Sequence, residues 1–303
     1  MHKYAKIVIV MHVKQLTAFL RRSYGMNYRT GERTMKKKSL VLLLSLAMVF
    51  AFVLSACGGG GESGEDTSGG GDEAAALKVV TEATFAPFEY TEDGNDEIIG
   101  FDVDMMNAIA EDQGLTIEWV NMEFDSLIPA LESNQGDIIC AGMNKLAGDR
   151  AEKADFGETY FKSNLMLLVA ADSDITGLDA VTSDMKLASQ IGTTGGDMVQ
   201  EMANEGKIAE GVVLNQWTDC YLQLKNGEVQ GVIVDKPVGA NYLMEHSDIA
   251  KFVGEGFGET EEFAFAVKKG NTELLDKLNA GLANIRENGT YDELLEKYKM
   301  KSE

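Results

Sequence analysis

The stretch Asp137–Phe156, DIICAGMNKLAGDRAEKADF, carries the residue best equipped to seize an anion. It opens on a short apolar run of strand formers (Ile138, Ile139, Cys140, Ala141), closed by Gly142. Such a run reads as a buried strand. A polar turn with Asn144, Lys145 and Gly148 leads to Arg150, with Asp149 beside it. Open α/β sheets place ligands outside the carboxyl ends of their strands, which is where this arginine would stand. Its planar fork can hold a carboxylate through two parallel, charge-assisted hydrogen bonds. A solvated surface arginine is the plain alternative. Asp235 closes a second such run, Gly231-Val232-Ile233-Val234, and is followed by Lys236-Pro237. There it is either a cation ligand or a helix cap.

The elements around these residues alternate. Leu77-Lys78-Val79-Val80 is a strand and runs into Thr81–Tyr90, where Pro87 holds Phe85 and Phe88 on an irregular loop. A helix follows with Val103, Met106, Ile109 and Ala110 on one face, ended by Gly114. Leu115–Val120 alternates as a strand, and Phe124-Asp125-Ser126 opens a second helix stopped near Gly136. This β-α-β-α-β order predicts a mostly parallel, doubly wound sheet. Trp217, Tyr221 and Leu224 fall at i, i+4 and i+7, a buried helix face. Cys140 and Cys220 belong to different halves and are expected to be buried free thiols. His246 reads as a surface residue at a helix end.

The chain has 303 residues, enough for two lobes, and a net charge of −22. Residues 1–56 hold ten Lys or Arg and one acid, leaving 17 basic against 48 acidic residues beyond, or −31. That balance argues against nucleic acid as a partner. With three Cys and three His, two of the latter being His2 and His12, no Cys/His zinc site is expected and no metal or cofactor is implied. Met35-Lys-Lys-Lys, the uncharged Ser39–Leu54 and Leu54-Ser55-Ala56-Cys57 make a secretory signal over residues 35–56. Sixteen uncharged residues are short of the roughly 20 that span a bilayer. The LSAC end resembles the lipobox of bacterial lipoproteins, which implies a lipid on Cys57 and an extracytoplasmic protein anchored to the outer face of the cell membrane. Residues 1–34 would bury that signal in mid-chain, so Met35 is the expected start; precursor sequences from before Met35 would contradict it. Residues 57–76 read as a tether, since Gly58–Asp72 has eight glycines and four acids.

TEATFAPFEY, IIGFDVDMMNAIA, FDSLIPALESNQGDIICAGM, QIGTTG, LKNGEVQGVIVDKP and ENGTYDELLEKY together resemble the bacterial family-3 solute-binding proteins, receptors of polar amino-acid ABC importers. The likeness covers residues 77–300. It implies an α/β, two-lobed, periplasmic-binding-protein-like (type II) fold with two hinge strands. Lobe 1 would be 77–161 with 262–303, and lobe 2 165–258. It also implies a site. Arg150 would take an α-carboxylate, with hydroxyl and N–H donors from Thr193 and Thr194, and Asp235 would take the α-ammonium. Backbone groups of Ala141 and Gly142 and the side chain of Asn144 would complete both contacts. Phe85 and Phe124 would sandwich the aliphatic stem, and Glu82 and Gln190 would read the side chain. Glu82 either pairs with a cationic ligand or only orders its loop. The segment from Gly142 to Arg150 has one residue more than the common family spacing, and Asn144 stands where Thr or Ser is usual. Whether Asn144 or Lys145 reaches the ligand is thus open.

The resemblance implies a non-enzymatic receptor that closes on a polar amino acid and presents it to ABC permease subunits. An extracytoplasmic enzyme of dehydratase type and a ligand-presenting sensor are the alternatives, because fold does not settle function. One histidine in the mature domain, outside the matched residues, counts against the enzyme. An end at Lys299–Glu303 without a membrane exit counts against a fused sensor.

Overall fold

The computed structural model of the protein describes residues 75–92 and 94–300; the leader, Cys57 and most of the tether lie outside them. The described residues form one compact unit. Its first half runs β1 (Leu77–Thr81), β2 (Thr84–Phe85), β3 (Glu89–Thr91), β4 (Ile98–Ile99), α1 (Phe101–Asp112), β5 (Ile117–Asn121), α2 (Leu127–Glu132), β6 (Ile138–Ile139), α3 (Arg150–Lys153) and β7 (Ala154–Phe156). Then come β8 (Phe161–Ala170), β9 (Lys186–Gln190), α4 (Thr194–Asn204), β10 (Glu210–Leu214), α5 (Trp217–Asn226), β11 (Gly231–Asp235), α6 (Lys236–His246), β12 (Ala250–Phe263), β13 (Ala266–Lys268), α7 (Thr272–Glu287) and α8 (Thr290–Lys297).

Two five-stranded sheets result, ordered β5-β1-β6-β13-β7 and β10-β9-β11-β8-β12. Each contains a parallel trio in which the first strand lies between the other two, with β1 between β5 and β6 and β9 between β10 and β11. The helices α1 and α2, and α4 and α5, make the crossovers. Each sheet is mixed rather than wholly parallel. β13 runs antiparallel to β6 and β7, and β8 antiparallel to β11 and β12. The cause is connectivity, since the chain passes once from β7 to the second sheet and returns once from β12 into β13. This is the two-lobed type II fold. β8 and β12 pair side by side where the chain crosses, with Phe161 opposite Phe263, Lys162 opposite Glu262 and Ser163 opposite Glu261.

Burial follows the sequence pattern. Val103, Met106, Ile109 and Ala110 of α1 are buried as their spacing predicts, against α7, whose Gly281 leaves no room for a side chain beside Ile109. β11 is buried along its whole length, as a strand covered on both faces must be. The small β2-β3-β4 sheet carries Phe85 into an aromatic cluster with Phe88, Phe161, Phe263 and Trp217. Cys140 and Cys220 are buried free thiols. Trp217 and Leu224 are buried on α5, while the half-buried Tyr221 stacks on Tyr242. His246 ends α6 but is half-buried, stacked on Tyr242.

Candidate functional site

The polar side chains expected to act gather at the carboxyl ends of parallel strands. Glu82 follows β1, Gly142 follows β6, Gln190 ends β9 and Asp235 ends β11. Of the eleven residues expected at the ligand, nine line one small cavity between the sheets: Phe85, Phe124, Gly142, Asn144, Arg150, Gln190, Thr193, Thr194 and Asp235. Ala141 and Glu82 do not line it. The Ala141 side chain packs in the core with Val80, Phe124 and Ile139. Glu82 sits behind Gln190.

Arg150 spans the cleft. Its Nη1 donates to the Asn144 carbonyl at 2.7 Å and its Nη2 to the Gly192 carbonyl at 2.6 Å. The guanidinium lies 5.3 Å over the Phe124 ring. That face satisfies a desolvated cation without spending its donors. Burial lowers the Arg150 pKa, and Glu261, Asp197 and Asp235 oppose it. The group remains charged, because arginine starts so high.

Asn144 occupies the cleft and Lys145 does not. The Asn144 Oδ1 accepts from the backbone N–H groups of Leu146 and Glu262, both at 3.1 Å, and its Nδ2 points to the Thr194 hydroxyl at 3.4 Å. Lys145 turns away to Glu262, at 3.2 Å. Thr193 caps α4: its hydroxyl accepts from the Gly196 N–H at 3.0 Å and donates to the Gln190 carbonyl at 2.7 Å. That donor is thus engaged within the fold, and Thr194 is the hydroxyl that faces the cavity. The Gly142 N–H is engaged as well, donating to Asp102 Oδ2 at 2.9 Å and Tyr160 Oη at 3.1 Å. Gly142 has φ +49° and would set a Cβ 2.3 Å from Phe85 Cε1, so only glycine lets the ring close on this backbone.

Three buried acids lie at the cleft, Asp235 and Glu261 acting on the arginine and Glu82 behind Gln190. Asp235 is 6% exposed, and burial first, then the Glu261 charge, push its carboxyl well above the carboxylate range. Glu82 is 3% exposed and accepts from Thr84 Oγ1 at 2.8 Å and Gln190 Nε2 at 2.7 Å. Burial pushes it up to about 7, against the opposing pull of those two hydrogen bonds. Gln190 also donates to the Asn215 carbonyl at 2.8 Å, so the Glu82–Gln190 pair ties the end of β1 to lobe 2.

The third acid, Glu261, is 4% exposed, lines the same cavity, and was not expected from the sequence. Burial raises its pKa, opposed by Thr194, Arg150 and Asn144. The readable signal is its phase, two residues before the buried Phe263 on one strand. The other buried acids, Asp102 and Glu89, lie beneath the cavity in lobe 1. Burial raises Asp102 to about 6, with the Tyr160 hydroxyl and the Gly142 N–H as its chief counterweights. The motif GFDVD therefore supplies the carboxylate that orients the Gly142 turn. Two further grooves lie outside the cleft, one behind the hinge at Pro87, Phe161 and Pro237 and one beside Tyr90, Tyr221 and Tyr242; neither is lined by a buried carboxylate.

A cleft between two α/β lobes, entered from strand ends and lined by opposed charges, defines a receptor that closes on a small zwitterionic solute. Residues 77–301 match the profile of the bacterial extracellular solute-binding proteins, family 3, and the chain belongs to that family. Among known proteins it is 33% identical over 253 residues to a probable histidine-binding protein of Neisseria gonorrhoeae, covering 82% of this chain and 91% of the relative. It is 32% identical over 261 residues to the arginine-binding extracellular protein ArtP of Bacillus subtilis, covering 85% and 96%. A solved structure of an ancestral arginine-binding protein bound to arginine superposes with a TM-score of 0.69 at 34% identity, covering 74% of this chain and 97% of the other.

Proposed function

We propose that this protein is the substrate-binding receptor of an amino-acid ABC importer, and that its substrate is a cationic L-amino acid, arginine first. The observation that carries the reading is the charge count at the cleft. Three buried acids, Glu82, Asp235 and Glu261, accompany one half-buried cation, Arg150. A neutral amino acid balances its own carboxylate and ammonium and leaves the excess acid uncompensated, whereas a second ligand cation removes part of it. The ligand's α-carboxylate takes the two Nη groups of Arg150 in place of the Asn144 and Gly192 carbonyls. Its α-ammonium meets Asp235, whose Oδ1 is buried and without a hydrogen-bond partner. The stem runs between Phe85 and Phe124, and the side-chain cation reaches Glu82 and Gln190. The names of the relatives support the same substrate class.

Binding to the closed arrangement shifts the open–closed population, and the closed form is what the permease reads. We read the protein as a binding protein rather than an enzyme, because the relatives it resembles over most of its length are named as amino-acid-binding proteins. We place it outside the cytoplasm on a lipid at Cys57. Membrane fractionation checks that anchor: Cys57→Ser should move the protein to the soluble fraction, and retention on the membrane would refute it.

The specificity test is Glu82→Gln. Removing one partner of a buried ion pair costs about 2 kcal/mol or more, so arginine should lose roughly thirtyfold in affinity or more while glutamine changes little. Equal losses for the two ligands would remove Glu82 from substrate reading.

A further inference from the structure

The cleft holds one more carboxyl than an α-ammonium and a side-chain cation require. Asp235 and Glu261 come from strands on either side of β8, Asp235 opposite Leu165 and Glu261 opposite Ser163. Both line the same cavity, and each has one fully buried oxygen, Oδ1 and Oε1, without a hydrogen-bond partner. A buried acceptor left unmatched costs about 1–3 kcal/mol, more when charged, so two in one cavity point to a donor of several hydrogens. Ser163 favours the Asp235 charge, and Thr194 and Asn144 favour that of Glu261. The charged groups facing the two are Arg150 of α3 and each other, and Asp197 of α4 acts on the same guanidinium. Arg150 is held by the Asn144 and Gly192 carbonyls, so it screens the pair but does not neutralise it. Two carboxylates sharing a dry site do not both stay ionised.

We propose that Glu261 is a second ligand-facing carboxyl, and that the Asp235–Glu261 pair shares one proton in the empty cleft, which the ligand's α-ammonium displaces. In that step a carboxyl O–H bond breaks and its proton passes to solvent. The ammonium keeps its three hydrogens and donates them across both carboxylates, with no covalent bond made to the ligand. The inference rests on the reading of the cleft as an amino-acid site. Ligand and proton then compete: affinity falls as pH drops, by about tenfold per pH unit where one proton is displaced, and the receptor releases its solute in acid.

The test is calorimetric titration of the protein with L-arginine between pH 5.5 and 8 in buffers of differing ionisation enthalpy, whose slope counts protons released. Glu82 can also lose a proton to a guanidinium, so the same titration is run on Glu82→Gln. The expected result is close to one proton released per arginine in Glu82→Gln at some pH in that range. The double variant Glu82→Gln with Glu261→Gln should bind arginine with little proton release and an affinity nearly flat with pH. Arginine binding in Glu82→Gln without any buffer dependence across the range would overturn the shared proton and leave the receptor reading intact. Full release persisting in the double variant Glu82→Gln with Glu261→Gln would overturn the role of Glu261. Failure of the wild-type protein to bind any amino acid would overturn the receptor reading and this inference together.

Discussion

Glu82 shows what a buried acid costs the protein. Its carboxyl is pushed from 4.5 to about 7, chiefly by burial. A raised carboxyl pKa makes the folded state hold the proton more tightly than the unfolded one. The resulting stability is present in full below about 4.5 and is lost as pH rises through about 7. Asp102, raised to about 6, acts in the same direction. Glu82→Gln removes one of these two contributions. Thermal melts of the ligand-free protein should therefore place Glu82→Gln several degrees above wild type at pH 8 and near it at pH 4.5. A gap that is equal at both pH values would contradict the burial account. The backbone at Gly142 and Gly148 offers a second residue-scale contrast. Both have positive φ, but a Cβ at Gly142 strikes Phe85 while one at Gly148 meets open space. Gly148→Ala should cost about 1 kcal/mol of stability from φ alone. Gly142→Ala should cost more and also weaken ligand binding, because the ring that walls the cleft must move. Equal effects on binding would detach Phe85 from the site.

At the scale of elements, the strand ends were legible and one strand face was not. The runs ending at Val80, Ala141 and Val234 are apolar and β-rich; the first and last deliver Thr81 and Asp235 at their carboxyl ends and the middle one the Gly142 turn. Arg150 and Asp235 could be found that way, with motif resemblance supplying their roles; Gln190, Thr193 and Thr194 rest on the resemblance alone. β12 hid Glu261. Its 14 residues, AKFVGEGFGETEEF, are broken by glycines, and its pairing with β8 shifts register between Val253 and Phe257 and again between Phe257 and Glu261. Each shift loops out two residues and so keeps the alternation, and counting back by twos from Phe263 does turn Glu261 inward; what hid it is the glycine- and acid-rich composition of the strand, which does not read as a buried face. The antiparallel members β8 and β13 were illegible for a related reason. Their direction is set by where the chain crosses between sheets, which no local pattern encodes. Engagement of the Gly142 N–H by Asp102 was hidden too, since it joins residues 40 apart in sequence.

At the scale of the whole molecule, the two sheets are drawn together across the cleft. Arg150 reaches Asn144 and Gly192, Gln190 donates to Glu82, the backbone N–H of Trp217 donates to Thr84 Oγ1 at 3.1 Å, and the Phe85 ring packs 5.8 Å from that of Trp217. A ligand that binds this closed form and not the unfolded chain stabilises it by about 2.7 kcal/mol at a hundred times Kd. For a domain of this size that is a rise in melting temperature of about 5–10 °C. Arginine should produce the rise in wild type and not in Arg150→Ala; a shift surviving in Arg150→Ala would take the α-carboxylate away from that residue. The central claim is that this cleft selects a cationic amino acid. The measurement that tests it most directly is a calorimetric titration of ligand-stripped protein with L-arginine and L-glutamine side by side. The account predicts arginine binding tighter by roughly thirtyfold or more, the worth of one buried ion pair. Glutamine binding as tightly as arginine, or neither binding, would contradict it.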